Sequence, residues 1–93
     1  MSEYFTLDVE PTDDPDVREF VTNQTLTEDD EEVYTSPEEG EEGSAIAQML
    51  FSGVEGIVAL TITEDTLIVT RDPDVPWEYI IGEVRDALRD FFL

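Results

Sequence analysis

The amino-acid sequence predicts an α+β domain in which an antiparallel sheet of about four strands carries two helices on one face. Segments with strand-like alternation and segments with helical spacing follow one another in the order strand, strand, short strand, helix, strand, strand, helix. Each predicted helix has one apolar stripe to bury, and an antiparallel sheet accommodates both stripes on a single face. A chain of 93 residues has room for one hydrophobic core, so we expect a single domain over residues 1–93.

The N-terminal part predicts two strands joined by a loop. Residues 4–9 alternate, with apolar side chains at the odd-numbered positions, which is typical of a half-buried strand. Residues 10–16 contain two prolines, which lack a donor for the sheet, and several aspartates that favour turns, so we expect a loop there. Residues 17–22 predict the second strand, and their irregular spacing allows a β-bulge.

The middle of the chain predicts an acidic polar loop followed by a short helix. Residues 23–43 contain two carboxylate runs and few apolar side chains, with a short third strand expected at residues 32–35. Ser44 is a suitable N-cap for a helix over residues 45–51, and Gly53 stands where helices commonly end.

The C-terminal part predicts a hairpin and a longer helix. Residues 56–62 and 66–70 are rich in β-branched side chains and are separated by three residues of turn-forming character. Residues 77–92 place apolar side chains at helical spacing, with acidic residues early and Arg85 and Arg89 late, as the helix dipole favours.

The residue types that are missing exclude several classes of function. Cysteine, histidine and lysine are absent, so disulfides, zinc sites, thiolate chemistry and the common base-activated nucleophiles are all excluded. We therefore expect no enzyme activity, no metal site and no cofactor. Because nucleic-acid binding depends on cationic side chains, a net charge of -21 also argues against direct binding to DNA or RNA. No segment is apolar enough to span a bilayer and the start lacks signal-peptide character, so we expect a cytoplasmic protein.

The acidity has three interpretations: a disordered tail, a mimic of nucleic acid, or a folded domain adapted to concentrated salt. The chain carries 25 acidic and 4 basic residues, and the acids occur within the predicted strands and helices as well as in the loops. With 40% hydrophobic residues the composition is not that of a disordered chain. We favour the halophilic interpretation, in which the charge reflects the solvent. The nucleic-acid mimic, a decoy for a DNA- or RNA-binding protein, is the alternative.

Several segments, in the same order along the chain, resemble the N-terminal domain of Nfu/NifU-type iron-sulfur scaffold proteins. Residues 5–20 resemble that family's first strand, EPT-x-NP loop and second strand, and residues 44–51 (SAIAQMLF) its SPLAxxLF helix. Residues 54–58, 65–71 and 74–77 resemble its I-x-G-V passage, its DFITVTK strand and the entry to its last helix. The family's Asn before the loop proline is Asp14 here, which lacks the amide donors of Asn.

The resemblance implies a non-catalytic protein-interaction domain accessory to iron-sulfur cluster assembly or delivery. In scaffold members a following domain binds the cluster through a Cys-x-x-Cys motif, which these 93 residues do not contain. The implied partner is a Cys-bearing scaffold or a recipient apoprotein, and we expect the domain itself to be monomeric. A domain whose function has drifted from the family's is a further alternative.

The candidate partner-binding residues lie in the first loop and on the two helices. Loops on a rigid sheet often carry binding groups, and Trp is common at interface hot spots. For each candidate, a role in turn formation or core packing is the simpler interpretation. The candidates are Glu10, Pro11, Thr12, Pro15, Leu50, Phe51 and Trp77.

Overall fold

The computed structural model describes residues 5–92 and consists of a five-stranded antiparallel sheet with three helices. In chain order the elements are β1 (Leu7–Pro11), β2 (Val17–Thr22), β3 (Glu32–Tyr34), α1 (Pro37–Glu41), α2 (Ala45–Gly53), β4 (Ile57–Ile62), β5 (Thr66–Arg71) and α3 (Trp77–Phe92). The strand order in the sheet is β1-β2-β5-β4-β3, with β1 and β3 at the edges. The predicted α+β class and the antiparallel sheet are confirmed, and the short third strand brings the sheet to five strands where about four were expected.

The core lies between the helices and one face of the sheet. Alternate side chains of the central strands are buried, among them Phe20 of β2, Leu67 of β5 and Leu60 of β4. They form one cluster with the apolar stripes of α2 and α3, such as Leu50 and Val84. Successive side chains of a strand point to opposite sides, so the remaining side chains point away from this core. The buried residues of α2 and α3 all join the one core cluster, and the other face of the sheet carries no helix among the described residues.

The first strand lies further along the chain than the alternation predicted: residues 5 and 6 precede it, and it continues into the predicted loop. β1 runs over Leu7–Pro11, so Glu10 and Pro11 belong to the strand and pair with Glu19 and Arg18 of β2. Proline is tolerated here because β1 is an edge strand and Pro11 is its last residue. The predicted strand residue Tyr4 lies outside the described residues.

The irregularity in the sheet is in β4, and the bulge considered for β2 is absent. β2 pairs in regular register with both β1 and β5. The register shifts instead between Ile57 and Ala59, where β4 pairs with β5. A bulge lets the buried Ile57 and Leu60 face the same core although an even alternation would place them on opposite faces.

The acidic segment is more ordered than the predicted loop. The expected short strand forms as β3, and a helix that the sequence did not predict, α1, follows it. Ser36 caps α1 by accepting a hydrogen bond from the Glu39 amide, and Pro37 stands in its first turn. Gly40 faces the Phe51 ring so closely that a Cβ atom there would overlap it. Contact with α2 therefore stabilises α1.

The two predicted helices are confirmed. Ser44 caps α2 through the Ala47 amide at 3.3 Å, and α2 ends at Gly53. In α3 the buried side chains are Trp77, Ile80, Val84 and Leu88, which recur at helical spacing. Within residues 5–92, none of the helices combines the length and the hydrophobicity that a bilayer span requires.

Candidate functional site

The loop between β1 and β2 is held in one shape by its own polar groups. The Thr12 hydroxyl donates to the Val17 carbonyl at 2.8 Å and accepts from the Asp14 amide at 3.1 Å. The Asp14 carboxylate in turn accepts from the Asp16 amide at 2.9 Å. This Asx-type turn requires an acceptor, which Asp supplies as well as Asn does, so replacement of the family's Asn leaves the bond intact.

Trp77 and Arg71 fasten this loop to the rest of the domain. The indole Nε1 of Trp77 donates to the Pro15 carbonyl at 2.8 Å. The Arg71 guanidinium donates through Nε to the Asp16 carboxylate at 3.1 Å and through Nη1 to the Val75 carbonyl at 3.1 Å. The backbone amide of Arg71 also donates to the Asp16 carbonyl at 2.8 Å. The loop is thus bonded both to the start of α3 and to the end of β5.

Two of the four arginines gather around the Trp77 ring. The guanidinium carbon of Arg18 lies 5.2 Å and that of Arg71 5.3 Å from the ring centroid, within the range of cation–π attraction. The Phe20 ring lies 6.2 Å from the Trp77 ring at a tilt of 45°. Trp77 is 7% exposed, so its ring packs in the core while its indole N–H binds the Pro15 carbonyl of the loop.

The predicted loop residues are accessible on this rigid base. Glu10, Pro11 and Pro15 are exposed and Thr12 is half-buried. We call the exposed surface of residues 10–15 the loop corner. The Pro15 carbonyl joins the loop corner to Trp77. The side chains of Glu10, Pro11 and Pro15 are exposed to solvent.

Leu50 and Phe51 belong to the other side of the domain. Leu50 is fully buried, which is the packing role that its spacing favoured. The Phe51 ring packs edge-on against Tyr34 of β3 at 6.3 Å, next to the edge strand opposite β1. These two residues do not join the loop corner, and a contact of either with a partner stays a prediction.

Three residues that matter at the loop corner were not among the predicted candidates. Asp16 and Arg71 form the ion pair beneath the loop, and Arg18 lies against Trp77. Asp16 and Arg71 are 55 positions apart in the sequence, so no local spacing predicts their ion pair. The scarcity of cations is the sequence feature that points to them, because each arginine in so acidic a chain has many potential carboxylate partners.

Glu32 lies in a second polar cluster, at an open depression of about 450 Å³ between α2 and the end of α3. Tyr34 Oη donates to its carboxylate at 2.5 Å and accepts from the Ser44 amide at 3.1 Å. Burial alone would raise the pKa of Glu32, but hydrogen bonds from Thr27, Tyr34 and Ser44 outweigh it, so the pKa lies below its ordinary value. A carboxyl group held ionised in this way supports the start of α2 and is a poor general acid.

The described part of the chain offers no ligand set for a metal ion. Among residues 5–92 no three His, Cys, Asp or Glu side chains are grouped so that they could hold one. The sequence contains no cysteine and no histidine, whereas iron-sulfur clusters are held by thiolates and in some cases imidazoles. The residues present therefore do not fit an iron-sulfur cluster.

Comparisons with known proteins agree with this architecture. The crystal structure of protein SAV1430 from Staphylococcus aureus matches with a TM-score of 0.71 at 17% identity, over 87% of this chain and 94% of that chain. The solution NMR structure of a NifU-like protein from Saccharomyces cerevisiae matches with a TM-score of 0.77 at 23% identity, over 97% of this chain and 82% of that chain. At these identities the two matches show a shared fold. No curated protein matches the chain.

The fold is thus that of a small α+β domain found in NifU-like proteins. The family model for the N-terminal part of scaffold protein Nfu/NifU matches residues 7–93. The chain belongs to this Nfu/NifU N-terminal family, as its motifs predicted, and is thereby associated with scaffolding in iron-sulfur cluster assembly.

Proposed function

We propose that this protein is a non-catalytic interaction domain that docks onto a cluster-bearing scaffold or a recipient apoprotein during iron-sulfur cluster assembly. Membership of the family supports the pathway. The lack of cysteine and histidine in these 93 residues supports a role in which the ligands of the cluster, as cargo, come from outside this domain. On this proposal the domain supplies binding energy and orientation, and the partner supplies the ligands.

The observation that carries the proposal is the rigid loop corner. Exposed residues that are held by buried partners lose little conformational freedom on binding, so more of the contact energy appears as affinity. Pro11 and Pro15 restrict the backbone, while Trp77 and Arg71 fix the loop from below. A surface of this kind suits protein recognition, since its exposed side chains stand on a backbone that is already held in place.

A binding measurement in concentrated salt tests the proposal. The purified domain is titrated calorimetrically, in ~3 M NaCl to screen its self-repulsion, against a Cys-x-x-Cys scaffold domain and an apoprotein from the same organism. We expect reversible binding that Asp13→Arg, at the exposed tip of the loop, weakens about tenfold, or about 1.4 kcal/mol. Glu41→Arg is the matched control, because it makes the same charge change at an exposed position of α1.

Cluster transfer from scaffold to apoprotein is followed by visible circular dichroism in the same solutions. The proposal predicts that the domain changes the transfer rate and that Asp13→Arg abolishes that change. If no cluster-assembly protein binds and the transfer rate is unaffected, the proposed function is wrong. Capture of a nucleic-acid-binding enzyme instead, with inhibition that fades as salt rises, would support the decoy alternative.

A further inference from the structure

One face of the sheet carries no helix, and its side chains form rows that cross the strands. The central row joins Glu10, Glu19, Ile68, Thr61 and Val33, each directly opposite the next in the strand register. We call the surface around this row the open sheet face. It is continuous with the loop corner, because Glu10 belongs to both.

The greater part of the open sheet face contains no charged side chain. The charged residues of β3 and β5, Glu32 and Arg71, are engaged elsewhere: Glu32 with Tyr34 and Arg71 with Asp16. What remains exposed is apolar or hydroxylated, including Val33 at 53% and Val58 at 37% exposure. In a chain with 31% charged residues, an uncharged surface across three strands is typical of an interface.

The β1–β2 side of the same face carries an opposed pair of carboxylates. Glu10 and Glu19 are directly opposite in the antiparallel register, and like charges in that arrangement destabilise a sheet. Neither forms an ion pair with any cation among residues 5–92. A cation supplied from outside would relieve the repulsion and gain two carboxylate partners at once.

The area and the charge decide between a second copy and a different partner. At ordinary strand spacing the sheet covers roughly 400 Å² per copy, so a face-to-face pair would bury about 800 Å², half of a standard interface. Each copy also carries a net charge of -21, and the carboxylate pair would approach another acidic surface. A stable symmetric dimer is therefore disfavoured, whereas a cationic partner gains from both features.

We propose that the open sheet face binds a protein partner that presents an apolar patch bordered on one side by Arg or Lys, with one of these cations placed between Glu10 and Glu19. The inference rests on the proposed function, for which it names the chemistry of the partner. The charge asymmetry of the face sets the orientation: the basic border of the partner lies over β1 and β2, and its apolar patch lies over β4 and β5.

A designed probe tests this chemistry without any cluster protein. The probe is an amphipathic helical peptide of about 18 residues with Leu on one face and Arg along one border, and a matched peptide has Gln in place of Arg. Binding is followed by amide chemical shifts at the lowest NaCl concentration at which near-ultraviolet circular dichroism shows Trp77 still packed. We expect the largest shifts on β2, β4 and β5, and at least tenfold weaker binding of the Gln peptide.

Variants of the protein separate binding from folding. Glu19→Gln should weaken binding of the Arg peptide about three- to tenfold while raising the melting temperature by about 2–4 °C, because it removes a repulsion. Val58→Asp should weaken binding at least tenfold, and Val33→Asp serves the same purpose if Val58→Asp fails to fold. Tyr79→Asp, 43% exposed on α3, makes the same charge change in the helical layer and should alter binding less than twofold.

The proposal is overturned if the shifts map to the helical layer or the acidic segment, or if Tyr79→Asp weakens binding as much as Val58→Asp. Amide chemical shifts on the open sheet face that change with protein concentration in the absence of peptide would show that a second copy occupies the face. That result would also overturn the proposal. Either result would leave the proposed function untouched, because that function is tested separately by the titration against cluster-assembly proteins. Conversely, peptide binding on the open sheet face without any cluster-assembly partner would overturn only the proposed function.

Discussion

Replacing Trp77 by phenylalanine tests whether the loop corner depends on a single buried side chain. Phenylalanine keeps a ring in the core but has no indole N–H, so the bond to the Pro15 carbonyl at 2.8 Å is lost. It also offers a smaller ring to Arg18 and Arg71, whose guanidinium carbons lie 5.2 and 5.3 Å from the Trp77 ring centroid. The substitution therefore weakens three contacts and removes part of the packed surface.

The expected loss of stability follows from these contacts. The hydrogen bond contributes about 1 kcal/mol, and its loss is moderated because Pro15 is exposed and its carbonyl can accept from water. The weakened cation–π contacts together account for about 0.5–1 kcal/mol. The apolar area removed, taken as roughly 40 Å², adds about 1 kcal/mol. We expect a total of about 2–3 kcal/mol, which lowers the melting temperature of a domain of this size by about 10–20 °C.

Thermal unfolding followed by far-ultraviolet circular dichroism measures this loss, and amide hydrogen exchange locates it. The Asp16 and Val17 amides, which bond within the loop at 2.9 and 3.0 Å, should exchange faster in Trp77→Phe than global unfolding explains. Tyr79→Phe, two residues along the same helix, is the control and should change stability by less than about 0.5 kcal/mol. A loss below 0.5 kcal/mol for Trp77→Phe, with unchanged exchange in the loop, would refute the reasoning.

Three further predictions concern salt, pH and packing. Raising NaCl from ~0.1 M to ~3 M should stabilise the fold by several kcal/mol. Neighbouring carboxylates repel by ~0.4 kcal/mol per pair at the lower concentration and by less than ~0.1 kcal/mol at the higher. Equal melting temperatures at the two concentrations would contradict the halophilic interpretation. The folded pKa of Glu32 lies below its ordinary value of 4.5, so its ionised form stabilises the fold above that pH, and the stabilisation is lost as pH falls through the lower folded pKa. Acid titrations should therefore show a weaker pH dependence for Glu32→Gln than for the natural protein. Gly40→Ala should cost about 1–3 kcal/mol because the added methyl meets the Phe51 ring. Gly82→Ala, where no atom lies near the new methyl within α3, should stabilise by about 0.5–1 kcal/mol; calorimetry on the two alanine variants should give opposite signs.

Local chemistry made much of the fold predictable. The caps, the β-branched hairpin and the helical spacing of α3 each act over a few residues, so their positions could be found from the sequence alone. Helix α1 was not predicted because its sequence, PEEGE, has no apolar stripe. It is stabilised by the fit of Gly40 to Phe51, a contact between residues that only the folded chain brings together.

The candidate site was predictable in part for the same reason. The loop residues were identified from their proline and aspartate content, and Trp77 from its residue type. Their relation to each other was not, because the Trp77–Pro15 bond spans 62 positions and the Arg71–Asp16 pair spans 55. The open sheet face could not be predicted either, because its composition depends on the order of the strands in the sheet. That order places Glu10 opposite Glu19 and Ile68 opposite Thr61.

Residue types and short-range periodicity were enough to establish the class of this domain, its family, and the absence of cluster ligands among these residues. The folded arrangement was needed to show which carboxylates oppose each other, which face of the sheet stays uncovered, and that a tryptophan and an arginine far along the chain bind the loop at one end of the sheet. Those arrangements depend on strand order and side-chain packing, which are set by the whole chain at once and leave no mark at any one position.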